Sequence, residues 1–85
     1  MVLSRKDCDE IRQALASKAT NYRYREVARW LDRAEFHIAS KRGDHEVWKH
    51  GPSGRRVGIV RKRGDLLPAY VKEVARRILE VGACP

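Results

Sequence analysis

Histidine is the side chain whose ordinary pKa lies nearest a neutral working pH, so His37, His45 and His50 are the first candidates for proton transfer in this 85-residue chain. They do not form a metal set. His45 and His50 are five positions apart, which points them to opposite faces of a regular strand, and His37 falls in another segment. Cys8 and Cys84 stand near opposite ends, with no CxxC pair and no local partner, and are expected as free thiols rather than as a zinc ribbon or a disulfide framework. No metal and no cofactor is expected.

His45 stands apart from the other two because of its surroundings. The chain carries 19 Lys plus Arg against 11 Asp plus Glu, a formal net charge of +8. Most of that excess lies between residues 37 and 63, where Lys41, Arg42, Lys49, Arg55, Arg56, Arg61, Lys62 and Arg63 face only Asp44 and Glu46, a regional net of +6. Cations concentrated in this way suit a phosphate backbone, since each one near a phosphate releases condensed counterions without reading sequence. Nucleic acid is the favoured partner, and an acidic protein is the competitor for the same patch.

The length allows one domain, residues 1–85, with a single thin core. No apolar run approaches the roughly 18 residues that span a bilayer, and the start of the chain leads into charged residues, so a cytoplasmic location is expected. Cys8, Ile11, Ala14 and Leu15 recur at helical spacing behind Ser4 or Asp7 as N-caps, a helix over 4–18. Residues 19–22 read as a turn. Val27, Trp30, Leu31 and Ala34 predict a second helix over 25–34.

From Phe36 the period becomes two, with Phe36, Ile38 and Ser40 alternating with His37, Ala39 and Lys41. Gly43 and Asp44 reverse the chain into a strand over 45–50, with His45, Val47 and Lys49 on one side and Glu46, Trp48 and His50 on the other. Gly51-Pro52-Ser53-Gly54 closes a hairpin onto a third strand from Arg55 to about Val60. Asp65 and Pro68 open a last helix carrying Val71, Val74, Ala75, Ile78 and Leu79, and Gly82 ends it. The expectation is an α+β fold of order ααβββα, a three-stranded antiparallel sheet with helices on one face. Trp30, Phe36, Val47, Val57, Ile59 and Val74 are expected in the core. Trp48, opposite Val47, is expected on the wet face, stacking on a base or anchoring a partner; cover by the first helix is the alternative.

The order of these residues resembles the HicA-type toxins of bacterial toxin-antitoxin systems. The resemblance runs over 25–80: the short helix, Phe36, Lys41-Arg42-Gly43-Asp44-His45, Val47-Trp48-Lys49-His50, Ser53-Gly54-Arg55-Arg56-Val57, then Pro68 opening the final helix. It implies a double-stranded-RNA-binding-like fold and a messenger-RNA ribonuclease, held inactive by an antitoxin of the HicB type. It also implies a catalytic role for His45, the His of the family's Gly-Ser-His triplet. Here the triplet is Gly43-Asp44-His45, and a carboxylate beside the imidazole repels an incoming phosphate. The usual Val-Pro before the last loop is Val60-Arg61. The helix over 4–18 is extra relative to the shortest members.

Taken with the residues themselves, the expectation is metal-free cleavage of RNA. His45 moves the proton, and Lys41, Arg42, Lys49, Arg55, Arg56, Arg61, Lys62 and Arg63, with Trp48, bind the strand. The alternative is a non-catalytic RNA-binding module using the same basic face. A third possibility is a pure interaction protein.

Overall fold

A computed structural model of the chain describes residues 3–16 and 22–84. The first helix, α1 (Arg5–Ala16), begins with a reciprocal cap in which the Asp7 N–H donates to Ser4 Oγ at 3.0 Å and the Ser4 N–H donates to Asp7 Oδ2 at 3.2 Å. The same Asp7 carboxylate, only 3% exposed, also accepts from Arg33 at 2.7 Å and faces Arg29 at 3.8 Å, which fastens α1 to the next helix. Burial alone would raise the Asp7 pKa. The hydrogen bonds from Arg33 and Ser4, with the Arg33 charge, instead hold it below the usual carboxylate range. A depressed native pKa stabilises the fold above the unfolded value near 3.8 and ceases to do so as pH falls through the native value. Acid titration of stability below pH 4 therefore shows a loss that Asp7→Asn flattens; identical acid limbs for both proteins would contradict the assignment.

A two-residue strand, β1 (Tyr22–Arg23), leads into α2 (Tyr24–Arg33). Val27, Trp30 and Leu31 bury one stripe of this helix, while Glu26 in its first turn and Arg33 in its last oppose the helix dipole. The main sheet follows as β2 (Phe36–Arg42), β3 (His45–His50) and β4 (Arg56–Val60), antiparallel with β3 central. Next comes β5 (Asp65–Leu66), which pairs back with β1, and then α3 (Pro68–Glu80) with its proline in the first turn. Past α3 the Gly82 N–H donates to the Leu79 carbonyl and the Ala83 N–H to that of Ile78, with Gly82 at φ +74, a Schellman end that needs the glycine's left-handed backbone.

The α+β class, the three antiparallel strands and both hairpin reversals stand as expected, whereas β1 and β5 are additions that turn the order into αβαββββα. Tyr22, expected in a turn, and Asp65, expected to open the last helix, lie in those two strands. Residues 17–21, the end of the expected first helix and most of the expected turn, lie outside the described residues.

Helix α2 packs on β2, α3 on β4 and on α2, and α1 on α3. The sheet therefore buries one face. Its inner residues are Phe36, Glu46, Trp48, His50, Val57 and Ile59, joined in the core by Ile11, Val27, Trp30, Leu31, Leu66, Val71, Val74, Ala75 and Ile78. Burying each large aliphatic or aromatic side chain contributes about 1.5–3 kcal/mol.

Two expectations are corrected here. β3 presents the opposite face to the one expected: Trp48 is 6% exposed and sits in the core, and Val47 is the half-buried residue on the open side. Alternation fixes which residues share a face but not which face turns inward, and the indole has more apolar area to bury than the valine. α1 packs on α3, and its Ile11 and Ala14 belong to the same core cluster as Trp48. The second correction concerns the cysteines. Cys8 and Cys84 form a disulfide with Cα atoms 5.8 Å apart, because α1 lies along α3 and brings the two ends of the chain together.

Candidate nucleic-acid interface

The open face of the sheet is set by the strand register. Arg42 pairs with His45, which pairs with Val60; farther along, His37 pairs with Lys49, which pairs with Arg56. A bulge at Ala39 shifts β2 by one residue, so Lys41, unlike Arg42, shares the inner side with Glu46. Beyond Phe36, every residue of β2 is exposed, and with the Gly43-Asp44 turn it projects from the helical layer. Gly43 takes φ +60 in that turn, a conformation that suits glycine.

His45 is exposed on the open face, directly opposite Arg42, where cross-strand Cβ atoms are about 5 Å apart. The position opposite Val47 is Gly58, and its missing side chain leaves a depression of about 280 Å³ lined by His45, Val47, Val60 and Tyr70. An imidazole beside a guanidinium at the rim of such a depression can take a proton from a hydroxyl while the cation meets the charge that develops.

Behind His45 the inner side carries a charged network absent from the sequence-based expectation. Glu46 is 1% exposed; its Oε1 accepts from the Tyr24 hydroxyl at 2.8 Å and from Trp48 Nε1 at 3.0 Å. Its Oε2 has no hydrogen-bond partner but faces Arg61 at 3.8 Å and Lys41 at 4.0 Å. The Arg61 guanidinium also lies 3.8 Å above the Tyr24 ring. One buried carboxylate thus fixes cations from both sides of the sheet, Lys41 before the β2–β3 turn and Arg61 after β4. Burial raises the Tyr24 pKa, and the hydrogen bond and charge of Glu46 raise it further against the opposing charge of Arg61, to about 12. A raised native pKa stabilises the fold fully below the unfolded value of 10.0, and the contribution disappears as pH rises toward about 12. Stability of the parent therefore falls more steeply over that window than stability of Tyr24→Phe, as alkaline melting curves can show; parallel curves would refute the coupling.

The expected RNA-binding residues separate into two groups. Lys41, Arg42, Arg61, Lys62 and Arg63 gather with His45 at one end of the sheet: the Arg61 N–H donates to the Asp44 carbonyl at 3.0 Å, and Lys62 bridges to Asp65 in the same loop. Lys49, Arg55 and Arg56 lie at the other end, about 13 Å along β3 at 3.3–3.4 Å per residue. Arg55 there meets Glu80 of α3 at 3.5 Å, and Glu80 also binds Arg77. His37 lies near this second group. Trp48 belongs to neither, being in the core, and the expected stacking role is withdrawn from it. His50 is also buried: its Nδ1 accepts from the Ser53 N–H at 3.2 Å and lies 2.7 Å from Ser53 Oγ, which shapes the β3–β4 turn.

Reasoning from sequence passed over Glu46, Tyr24, Arg23 and Arg25. The one local signal for Glu46 is its spacing of two from Trp48, which places both on the same face. Among the described residues, no group of three or more His, Cys, Asp or Glu is placed to hold a metal ion. Comparison with protein-family models, with curated proteins and with solved structures gave no match.

Proposed function

We propose that this chain is a HicA-like ribonuclease that cleaves messenger RNA with His45, and that its sheet and helices are a variant of the double-stranded-RNA-binding-like fold. The observation that supports it most is the placement of the one exposed Gly-x-His histidine beside Arg42 and a depression, with Lys41 and Arg61 held nearby by Glu46. In this reading His45 accepts the proton of a ribose 2′-hydroxyl. The 2′-oxygen bonds to phosphorus, the bond to the 5′-oxygen breaks, and that oxygen takes a proton from solvent. The products are a 2′,3′-cyclic phosphate and a 5′-hydroxyl, and no metal is required.

An antitoxin of the HicB type would silence the enzyme by covering the same basic face, and messenger RNA as substrate places the action in the cytoplasm. Reductants there favour the dithiol form of Cys8 and Cys84. One observation favours the alternative, an RNA-binding module without cleavage: Asp44, exposed beside His45, adds negative charge where a phosphate would arrive. Incubation of the purified chain with single-stranded RNA in excess chelator separates the two. Cyclic-phosphate ends, lost when the nucleotide at the cleaved position is 2′-deoxy, support the ribonuclease. Salt-sensitive binding with intact RNA supports the module.

A further inference from the structure

We propose that the pocket between β1, the start of α2 and the loop after β4 is a phosphate-binding site, separate from the depression at His45. It encloses about 280 Å³ and is lined by Arg23, Tyr24, Arg25, Arg61 and Gly64, so three of its five residues are guanidinium bearers. Arg23 and Arg25 are exposed and have no acidic partner among the described residues. Arg61 is oriented without being satisfied. At 3.8 Å its ion pair with the buried Glu46 is too long for a hydrogen bond, and its plane lies on the Tyr24 ring, so its donors stay open to a ligand.

The backbone adds donors on the same side. No side chain caps α2; the Tyr24 N–H is taken by the Gly64 carbonyl at 2.7 Å, while the following N–H groups, of Arg25 and Glu26, belong to the first turn and have no acceptor within the helix. Converging forks of this kind match the several oxygens of a phosphate better than the two of a carboxylate. Arg61 directly follows Val60, the cross-strand partner of His45, so the pocket lies at the same end of the sheet, and an RNA strand that rounds the edge of β4 would set one phosphate at His45 and another in this pocket. That last step rests on the proposed RNA substrate; the phosphate chemistry of the pocket does not.

Titration of the full chain with inorganic phosphate, against chloride at equal ionic strength, tests the site by backbone and arginine side-chain NMR. The amides of Arg25 and Glu26 and the Arg61 Nε–H are expected to shift and saturate near about 1 mM, and the double variant Arg23→Ala/Arg25→Ala to weaken binding about tenfold with its fold intact. A 2′-O-methyl oligonucleotide with and without a 5′-phosphate identifies the source: tighter binding of the phosphorylated form assigns a strand terminus, and equal binding that the double variant still weakens assigns an internal diester. Unmoved amides, or a double variant that titrates like the parent, would overturn the site. His45→Ala retains the phosphate response whether or not it loses cleavage, so failure of the ribonuclease reading and failure of the pocket are distinguishable.

Discussion

Reducing the Cys8–Cys84 disulfide lowers the melting temperature of this chain by roughly 15–30 °C. The bond closes a loop with a sequence separation of 76 residues, nearly the whole chain, and in the chain-entropy view a cross-link of that span restricts the unfolded ensemble by about 4 kcal/mol. In a domain of this size each kcal/mol moves the midpoint by roughly 4–8 °C. The effect is large against the total, since 85 residues at 0.05–0.15 kcal/mol each amount to about 4–13 kcal/mol. Contacts of Ile11 and Ala14 with the core, and the Asp7–Arg33 pair, still hold α1 in the reduced form, so the loss is in midpoint rather than in native structure. Thermal melts with and without reductant measure it, with Cys84→Ser as the control that melts low in both. A parent whose midpoint moves by no more than a few degrees would show that the bridge does not constrain the ensemble.

Elements whose reasons are local were legible in the sequence. The caps at Ser4 and Gly82, Pro68 at the start of α3 and the glycines of both hairpin turns each act through the chain next to them, and they stand where the residue types indicate. What was not legible depends on partners far away in sequence. The β1–β5 pairing joins Tyr22 to Leu66 across segments too short to show a period. The disulfide depends on α1 lying along α3, which no spacing between Cys8 and Cys84 encodes.

The face of β3 was misread for a related reason. A carboxylate at Glu46 looks like a solvent-facing residue, and only the Tyr24 hydroxyl, the Trp48 N–H and the charges of Lys41 and Arg61 make its burial tolerable. The candidate site was legible in part: His45 and Arg42 stand at the same hairpin turn, as their spacing about Gly43 implies, whereas the bulge at Ala39, which the alternation does not show, puts Arg42 on the open face and Lys41 on the other, and the length of β3 separates Arg55 from His45.

His45→Ala has the other large expected effect. A positioned general base contributes about 10²- to 10⁴-fold, and no other exposed histidine lies at this end of the sheet to replace it. His37 pairs with Lys49 instead, and His50 is buried against Ser53. Because the His45 side chain is exposed, its removal leaves stability within about 0.5 kcal/mol. On the proposed reading the variant, which keeps Arg42, Lys41 and Arg61, is expected to keep most of the parent's affinity for an RNA backbone.

The most direct test is the single-turnover rate of RNA cleavage in chelator for the parent and for His45→Ala, with melting temperature and RNA affinity measured on the same samples. The account predicts cleavage by the parent, a rate at least about 100-fold lower for the variant, and nearly unchanged folding and binding. Equal rates in the two proteins, or no cleavage by a parent that binds RNA, would contradict it.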